Sequence, residues 1–455
     1  MKTLIEHARI ITMDDNDTAY EDGYVLIEDD QIIEVGAGDY EAARNRRVQE
    51  EGQEAAREIA SDVRVDARGK ILMPGMVNTH CHVPMMPFRT MGDDCPDRLR
   101  RFLFPLELEA MTKELIYEAS RYGIAEMLLS GVTTFLDMYY FEDEVARACE
   151  ELGMRGFLGE TVINMPTCDS ETPYGGLAYG EWFLKKWKNH PLVTPIVAPH
   201  ATNTNDQEAL VQAYQMAKDH DTLFTLHNSE MDYEMQYFEE HYHQTPTQFL
   251  ADLGVLGKNT LLAHCIHMSE EDLNLVAEAG AKISHCVGSN TKAGKGVAPV
   301  KEMLAHGISV GLGTDGAASG NNLSIFTQMR LFASFHKTKH HDRSLFPARE
   351  IVRLGTIGGA KALGIGELTG SIEAGKKADL VLVETDSVNM FPCYNPYSAL
   401  VYSANASNVD SVWVNGRQVV ERKQLICGDL VELRESLQAE MGEFVKKSKE
   451  FSSMI

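Results

Sequence analysis

Positive charge is scarce in this chain of 455 residues: 42 Lys and Arg stand against 67 Asp and Glu, for a formal net charge of −25. Such a surface repels phosphate backbones, so a nucleic-acid partner is not expected. An anionic substrate would need a local basic patch. Cysteine is sparse as well. Eight occur, at positions 81, 95, 149, 168, 265, 286, 393 and 427, and none forms a C-x-x-C pair. In a chain of this length that pattern reads as free thiols in a reducing compartment. Long apolar runs are missing too, since none reaches the roughly 18 residues of a membrane helix. The opening MKTLIEHARIITMDD gains acids at once and shows no signal-peptide core. A cytoplasmic protein with no membrane partner is therefore expected. The chain also lacks both H-x-E and P-C-x-x-C, which excludes the small zinc nucleobase deaminases built on those motifs.

What is present is ordinary globular material, 44% hydrophobic and 24% charged. The length suits one barrel of roughly 250 to 300 residues with a smaller domain attached. Residues 1–38 alternate apolar and polar positions in short runs, as in TLIEHARIITM and GYVLIEDDQIIEVG, which predicts a small antiparallel sheet. The segment 39–61, rich in Ala, Glu and Arg, predicts an exposed helical insertion. The whole of 1–70 is read as the first part of a composite β domain.

Between about 71 and 365 the pattern changes. Eight β-rich runs, MPGMVNTH, VTTFLDM, RGFLGETV, VTPIVAPH, LFTLHNSE, TLLAHCIH, AKISHCVG and SVGLGTD, alternate with stretches of helical spacing such as KELIYEASRYGIAEMLLSG. That alternation predicts an α/β fold, a parallel (β/α)8 TIM barrel. Short strands return over 366–428, with Asn415-Gly416 as a hairpin turn. They complete the composite domain, expected as a small β-sandwich made from both chain ends. A charged helix and tail fill 429–455.

The sharpest chemical signal is His80-Cys81-His82 at the end of the first barrel strand. Residues i and i+2 of a strand point to the same side, so both imidazoles converge on the mouth where barrel enzymes keep their sites. Further candidates end other strands: His200, His227 with Glu230 three residues on, His264 and His267, His285, and Asp315. Any one of these is more often a strand-end cap than a ligand. Six strand ends delivering His or Asp to one mouth is a different matter. Three neutral imidazoles with one carboxylate suit Zn2+ or a similar ion with an open water position.

The strings PGMVNTHCH, TLHNSE, AHC, SHCVGSN, APV and GLGTDGAASGNNL resemble the amidohydrolase superfamily. Within it, the chain is similar over nearly its whole length to S-adenosylhomocysteine/5'-methylthioadenosine deaminases, with triazine hydrolases and guanine deaminases as neighbouring relatives. The resemblance implies one divalent ion, Zn2+ first and Fe2+ second, held by His80, His82, His227 and Asp315. It implies Glu230 as proton shuttle, with His264 and Asp315 as catalytic partners of the attacking water. His200 matches a substrate-contacting histidine, and Glu107 the acid that binds ribose hydroxyls. His200 also stands where two-metal relatives carry a carboxylated lysine, and no lysine occurs from Asn189 to His200.

Glu160, expected as a further substrate contact, occupies a position where members that bind a homocysteine carboxylate use arginine, and no arginine occurs from Gly156 to Gln328. The sequence therefore ranks 5'-methylthioadenosine or adenosine ahead of S-adenosylhomocysteine, with Lys292, Lys295 or Arg89 as compensating cations. The expected reaction is hydrolytic deamination of a small N-heterocycle. Alternatives on the same scaffold are triazine chloro- or aminohydrolysis, guanine or pterin deamination, and cyclic-amide hydrolysis. A barrel that has lost activity is disfavoured because every ligand and acid is present. The expected assembly is a homo-oligomer, a dimer or a tetramer.

Overall fold

The computed structural model describes residues 1–51 and 61–452. Eight parallel strands run in chain order around a barrel: Met76–Cys81, Val132–Tyr139, Arg155–Val162, Val193–Pro199, Phe224–Asn228, Thr260–His264, Lys282–His285 and Val310–Leu312. Each of the eight runs read from the sequence supplies one. Strands such as Val132–Tyr139 and Arg155–Val162 are buried at every position, which is why they read as near-continuous apolar runs. The seam between first and last strands is bridged where Asp315 N–H donates to the His80 carbonyl at 3.0 Å.

Helices cover the outside of the barrel. Lys113–Leu129 starts at Thr112, whose hydroxyl accepts from Leu115 N, and buries Leu115, Ile116, Ala119, Ile124 and Leu128 at helical spacing. Glu142–Leu152 stops at Gly153, which takes a left-handed φ of 75°. The tail helix, Leu430–Ser452, docks on the barrel through Phe444, whose ring lies 4.8 Å from that of Phe88. Among the described residues no helix is long and apolar enough to cross a membrane.

The chain ends form one nine-stranded mixed sheet. Its strands are Lys2–Ile11, Ala19–Glu28, Gln31–Ala37, Val63–Asp66, Lys70–Pro74, Leu380–Glu384, Val409–Val414, Arg417–Glu421 and Gln424–Leu425. Lys70–Pro74 joins the two ends, pairing in parallel with Lys2–Ile11 and antiparallel with Leu380–Glu384. The boundary read at residue 71 thus falls inside a strand of this sheet, and the barrel's own first strand begins at Met76. Within the sheet, Val25 and Ile27 share one apolar cluster with Leu72, Leu380, Leu382 and Trp413.

The hairpin at Asn415-Gly416 has φ of 51° and 76°, the left-handed pair that a two-residue turn demands. A Cβ on Gly416 would lie 1.9 Å from the Asp29 carbonyl oxygen, so only glycine fits. A buried ion pair ties barrel to sheet: Arg155 of the third barrel strand reaches Asp379 at 3.2 Å. The helical insertion is seen as Tyr40–Glu51. The rest of the expected helix, 52–60, and the last residues of the tail, 453–455, lie outside the described residues.

Candidate metal centre and active site

His80 is the last residue but one of the first barrel strand and His82 directly follows that strand, His227 lies in the fifth, His264 ends the sixth, and Asp315 follows the eighth. Barrel closure brings their side chains together. Ligand-capable atoms of His80, His82 and Asp315 lie within 4.8 Å of one another, as do those of His80, His227 and His264.

Local hydrogen bonds fix which ring nitrogen each histidine turns inward. His82 Nδ1 lies 2.6 Å from the Met138 carbonyl and His227 Nδ1 lies 2.5 Å from the His200 carbonyl. A carbonyl can only accept, so both Nδ1 atoms carry a proton and both Nε2 atoms are turned to the cluster, that of the neutral His227 as a free lone pair. His264 Nδ1 faces Asn290 Oδ1 at 2.8 Å, which leaves its Nε2 directed to Glu230, 3.7 Å away. His80 is fully buried, yet neither of its nitrogens has a hydrogen-bond partner among the described residues. An unpaired buried polar atom costs about 1–3 kcal/mol. A cation at the centre of this cluster would engage one of them, so the residues present fit a divalent ion.

The charges agree with that fit. Burial, with His82 and His227 adding, holds His80 neutral, its pKa well below the usual imidazole value. Burial and His200 do the same for His227. Asp315 is held well below the carboxylate range because His82 and the other imidazoles outweigh the burial that opposes its charge. In return, Asp315, 3.3 Å from His82 Nε2, overcomes burial and raises His82 to about 9. The proton on that ring neutralises Asp315 as a cation would.

Two of the gathered residues hold uncommon backbone. His264 and Asp315 have φ of 70° and 61°, left-handed values for non-glycine residues. Each costs on the order of 1–3 kcal/mol and is characteristic of functional sites. The turn after His227 is held by Glu234, which accepts from Glu230 N at 2.8 Å and from Thr202 Oγ1 at 2.6 Å.

A cavity of about 460 Å3 opens over the cluster, lined by His82, Glu107, His200, His227, Glu230, His264 and Asp315. That is within the usual range for a small-molecule site. A neighbouring cavity of about 690 Å3 shares His200, His227 and Glu230 with it. His200 Nδ1 is tied to Thr204 Oγ1 at 3.0 Å, and burial lowers the ring to about 4, so it is neutral. Burial pushes Glu107 up to about 7. Glu230 settles at about 2, since His264 and Lys295 outweigh its burial.

One expected contact is corrected. Glu160 is buried and lies outside both cavity linings; its neighbour Thr161 faces the cavity instead. Alternation along the strand turns Glu160 outward, where its Oε2 accepts from Glu142 N at 3.0 Å. Burial and the adjacent Asp169 raise its pKa well above the carboxylate range. So placed, its side chain faces the start of the Glu142–Leu152 helix and not the cavity. Cys81 also points outward, its thiol donating to Asp137 Oδ1 at 3.2 Å. Arg89 is paired with Glu126 and lines neither cavity.

Arg98 and Arg100 do line the mouth, Arg100 standing over the Tyr233 ring at 5.0 Å. Neither was among the residues expected from the sequence, where the charged run DDCPDRLRR, past the Val83–Phe88 turn that follows strand one, was the available signal. Nor was Asn290, the partner of His264, which lay in plain view inside SHCVGSN.

Comparison with known proteins follows the same lines. Residues 71–419 match the model of the amidohydrolase family. A 5-methylthioadenosine/S-adenosylhomocysteine deaminase of Syntrophus aciditrophicus is 38% identical over 426 residues, 93% of each chain. A 5'-deoxyadenosine deaminase of Methanosarcina barkeri is 34% identical over 98% of each. The solved structure of an adenosine deaminase from Xanthomonas campestris, with bound zinc, superposes with a TM-score of 0.91 at 29% identity over 98% of both chains.

Proposed function

This chain belongs to the amidohydrolase family, and from that premise we propose that it is a metal-dependent hydrolytic deaminase of an adenine nucleoside. The observation that carries the reading is the buried His80, without a hydrogen-bond partner among the described residues, at the centre of four other donors, with Glu230 lining the cavity above them.

His80, His82, His227 and Asp315 would hold one ion, Zn2+ ahead of Fe2+ because imidazole and carboxylate donors in a site with an open position suit it. Such an ion supplies the Lewis acidity that lets water lose a proton near neutral pH. Asp315 and His264 orient the attacking water. Glu230 takes one of its protons and gives it to the ring nitrogen beside the exocyclic amine. The water oxygen bonds to the ring carbon, the carbon–nitrogen bond breaks, and the second water proton leaves with the amine as ammonia. The carbon is left as a carbonyl and Glu230 as a carboxylate. His200 contacts the substrate as a neutral ring, and Glu107 receives the ribose hydroxyls.

The 5' substituent stays open among 5'-methylthioadenosine, adenosine and S-adenosylhomocysteine. With Glu160 outside the cavity and Arg98 and Arg100 at its mouth, the charge argument against a carboxylate tail no longer holds. The test is kcat/KM for ammonia release from these three beside guanine, a pterin and a triazine. Ammonia from at least one adenosine is expected. Release only from guanine, the pterin or the triazine would contradict the reading.

We place the protein in the cytoplasm, a reading supported by eight cysteines that are all free thiols. We also infer a homo-oligomer, a dimer or a tetramer. Supporting it, Val388, Phe391 and Tyr394 are 97%, 74% and 87% exposed on one loop. Light scattering of the wild type and of Phe391→Asp checks the assembly, and a monomer in both would contradict it.

A further inference from the structure

We infer that Lys295 is the positioning residue of Glu230: its ammonium clamps Oε1, so that Oε2 is the oxygen that carries protons between water and substrate. This rests on the deaminase reading above. Lys295 Nζ is paired with Glu230 Oε1, with both side chains largely buried. The same oxygen lies 3.7 Å from His264 Nε2. Both contacts fall on Oε1, and no hydrogen bond from a described residue reaches Oε2. A carboxylate held at one oxygen by a charged donor cannot turn freely, and its second oxygen is left to the cavity that Glu230 lines.

The segment around Lys295 is built for this. Gly294 and Gly296 on either side have φ of 68° and 128°, values that turn the chain sharply and bring the lysine stem inward. Lys295 N–H donates to the Asn290 carbonyl at 2.9 Å, and Asn290 Oδ1 in turn lies 2.8 Å from His264 Nδ1. One short segment after the seventh strand, the helix Val287–Lys292 and the turn that follows it, therefore orients both groups that handle protons, His264 through Asn290 and Glu230 through Lys295. Among the described residues, Glu230 is the only carboxylate paired with Lys295.

The test compares Lys295→Met, Lys295→Ala and Lys295→Arg with the wild type for ammonia release, metal content and melting temperature. A misplaced catalytic group costs on the order of 100-fold in rate. Lys295→Met is expected to lose about 10- to 100-fold in kcat with KM nearly unchanged. Its metal content and melting temperature should stay at the wild-type values. Lys295→Arg should recover part of the rate. Added ethylammonium chloride should restore part of the activity of Lys295→Ala, where potassium chloride does not; a merely structural lysine would give no such rescue. Unchanged kcat in Lys295→Met overturns the inference. So does a loss of rate that accompanies loss of metal or of folding and is not rescued by the amine.

If the wild type deaminates none of the three adenosines, the deaminase reading falls on its own. The clamp is then read without substrate, from the Glu230 carboxylate band in the infrared difference between wild type and Glu230→Gln. A shift of that band in the Lys295→Met background supports the clamp, and an unmoved band overturns it.

Discussion

The barrel mouth and the composite sheet are both made of short β-rich segments, yet they treat buried polar groups in opposite ways. In the sheet the buried carboxylates are fully engaged. Asp379 accepts from Arg155 at 3.2 and 3.3 Å and from Asn415 N at 2.6 Å. Glu384 accepts from Asp386 N, Ser387 N and Asn408 Nδ2 at 2.8, 2.9 and 2.8 Å. At and behind the mouth, both nitrogens of His80, Asp137 Oδ2, Glu142 and Glu160 Oε1 have no hydrogen-bond partner among the described residues. Left-handed backbone sits on His264, Cys265 and Asp315 there. In the sheet, positive φ falls at turns such as Asn415-Gly416 and at the register shift around His7 in the first strand. Buried polar groups without protein partners are uncommon in folded proteins. At the mouth the unpartnered atoms include both nitrogens of His80, a residue gathered for chemistry, whereas Asp379 and Glu384 in the sheet spend their oxygens on holding the chain in shape.

The largest effect should come from Glu230→Gln. Removing the proton carrier is expected to lower kcat by about 10²- to 10⁴-fold. Metal content and melting temperature should hold, because the change keeps the side chain's shape. Near-normal turnover would erase the distinction between the two regions at its sharpest point.

Next comes Arg155→Met, which leaves Asp379 buried without its cation. Breaking a buried pair in this way costs about 3–5 kcal/mol of stability. The melting temperature should fall, while kcat per folded molecule stays close to wild type. A normal melting temperature would mean the joint between barrel and sheet does not depend on this pair.

The smallest effect is a pH dependence in the sheet. Ser387 and Asn408 outweigh burial and hold Glu384 at about 2, below the ordinary 4.5. A carboxyl depressed in the folded state contributes stability above its unfolded value, and that contribution is lost as pH falls toward the folded value. Glu384→Gln should therefore flatten the decline in stability between about pH 5 and about pH 2, followed by denaturant unfolding. An unchanged slope would place the acid sensitivity elsewhere.

The sequence made the barrel legible because each strand pairs with its neighbour in the chain and is buried on both faces. Its runs are then apolar, and the polar residue that ends each one stands out. That is how His80, His82, His227, Glu230, His264 and Asp315 could be named from one-dimensional patterns. The composite sheet was legible as β structure, but its order was not. Lys70–Pro74 pairs with Leu380–Glu384 across about three hundred residues, and no local signal announces such a partner. Glu160 was misjudged because its importance was taken from a matched position, while the alternation of its strand, Thr161 inward and Glu160 outward, decides where it points. Arg98 and Arg100 lie at the start of a helical segment and Asn290 in the short helix Val287–Lys292, all beyond strand ends, where too few turns repeat to mark which side chain faces the cavity.

The claim at the centre is that the cluster at the mouth holds one catalytic ion. Zinc titrated into chelator-stripped protein, with ammonia release followed from the best adenosine substrate, tests it directly. Activity is predicted to rise from zero and level off at one equivalent per chain, with Glu230→Gln binding the same single equivalent but releasing little ammonia. Full activity in metal-free protein, or a plateau at two equivalents, would contradict the account.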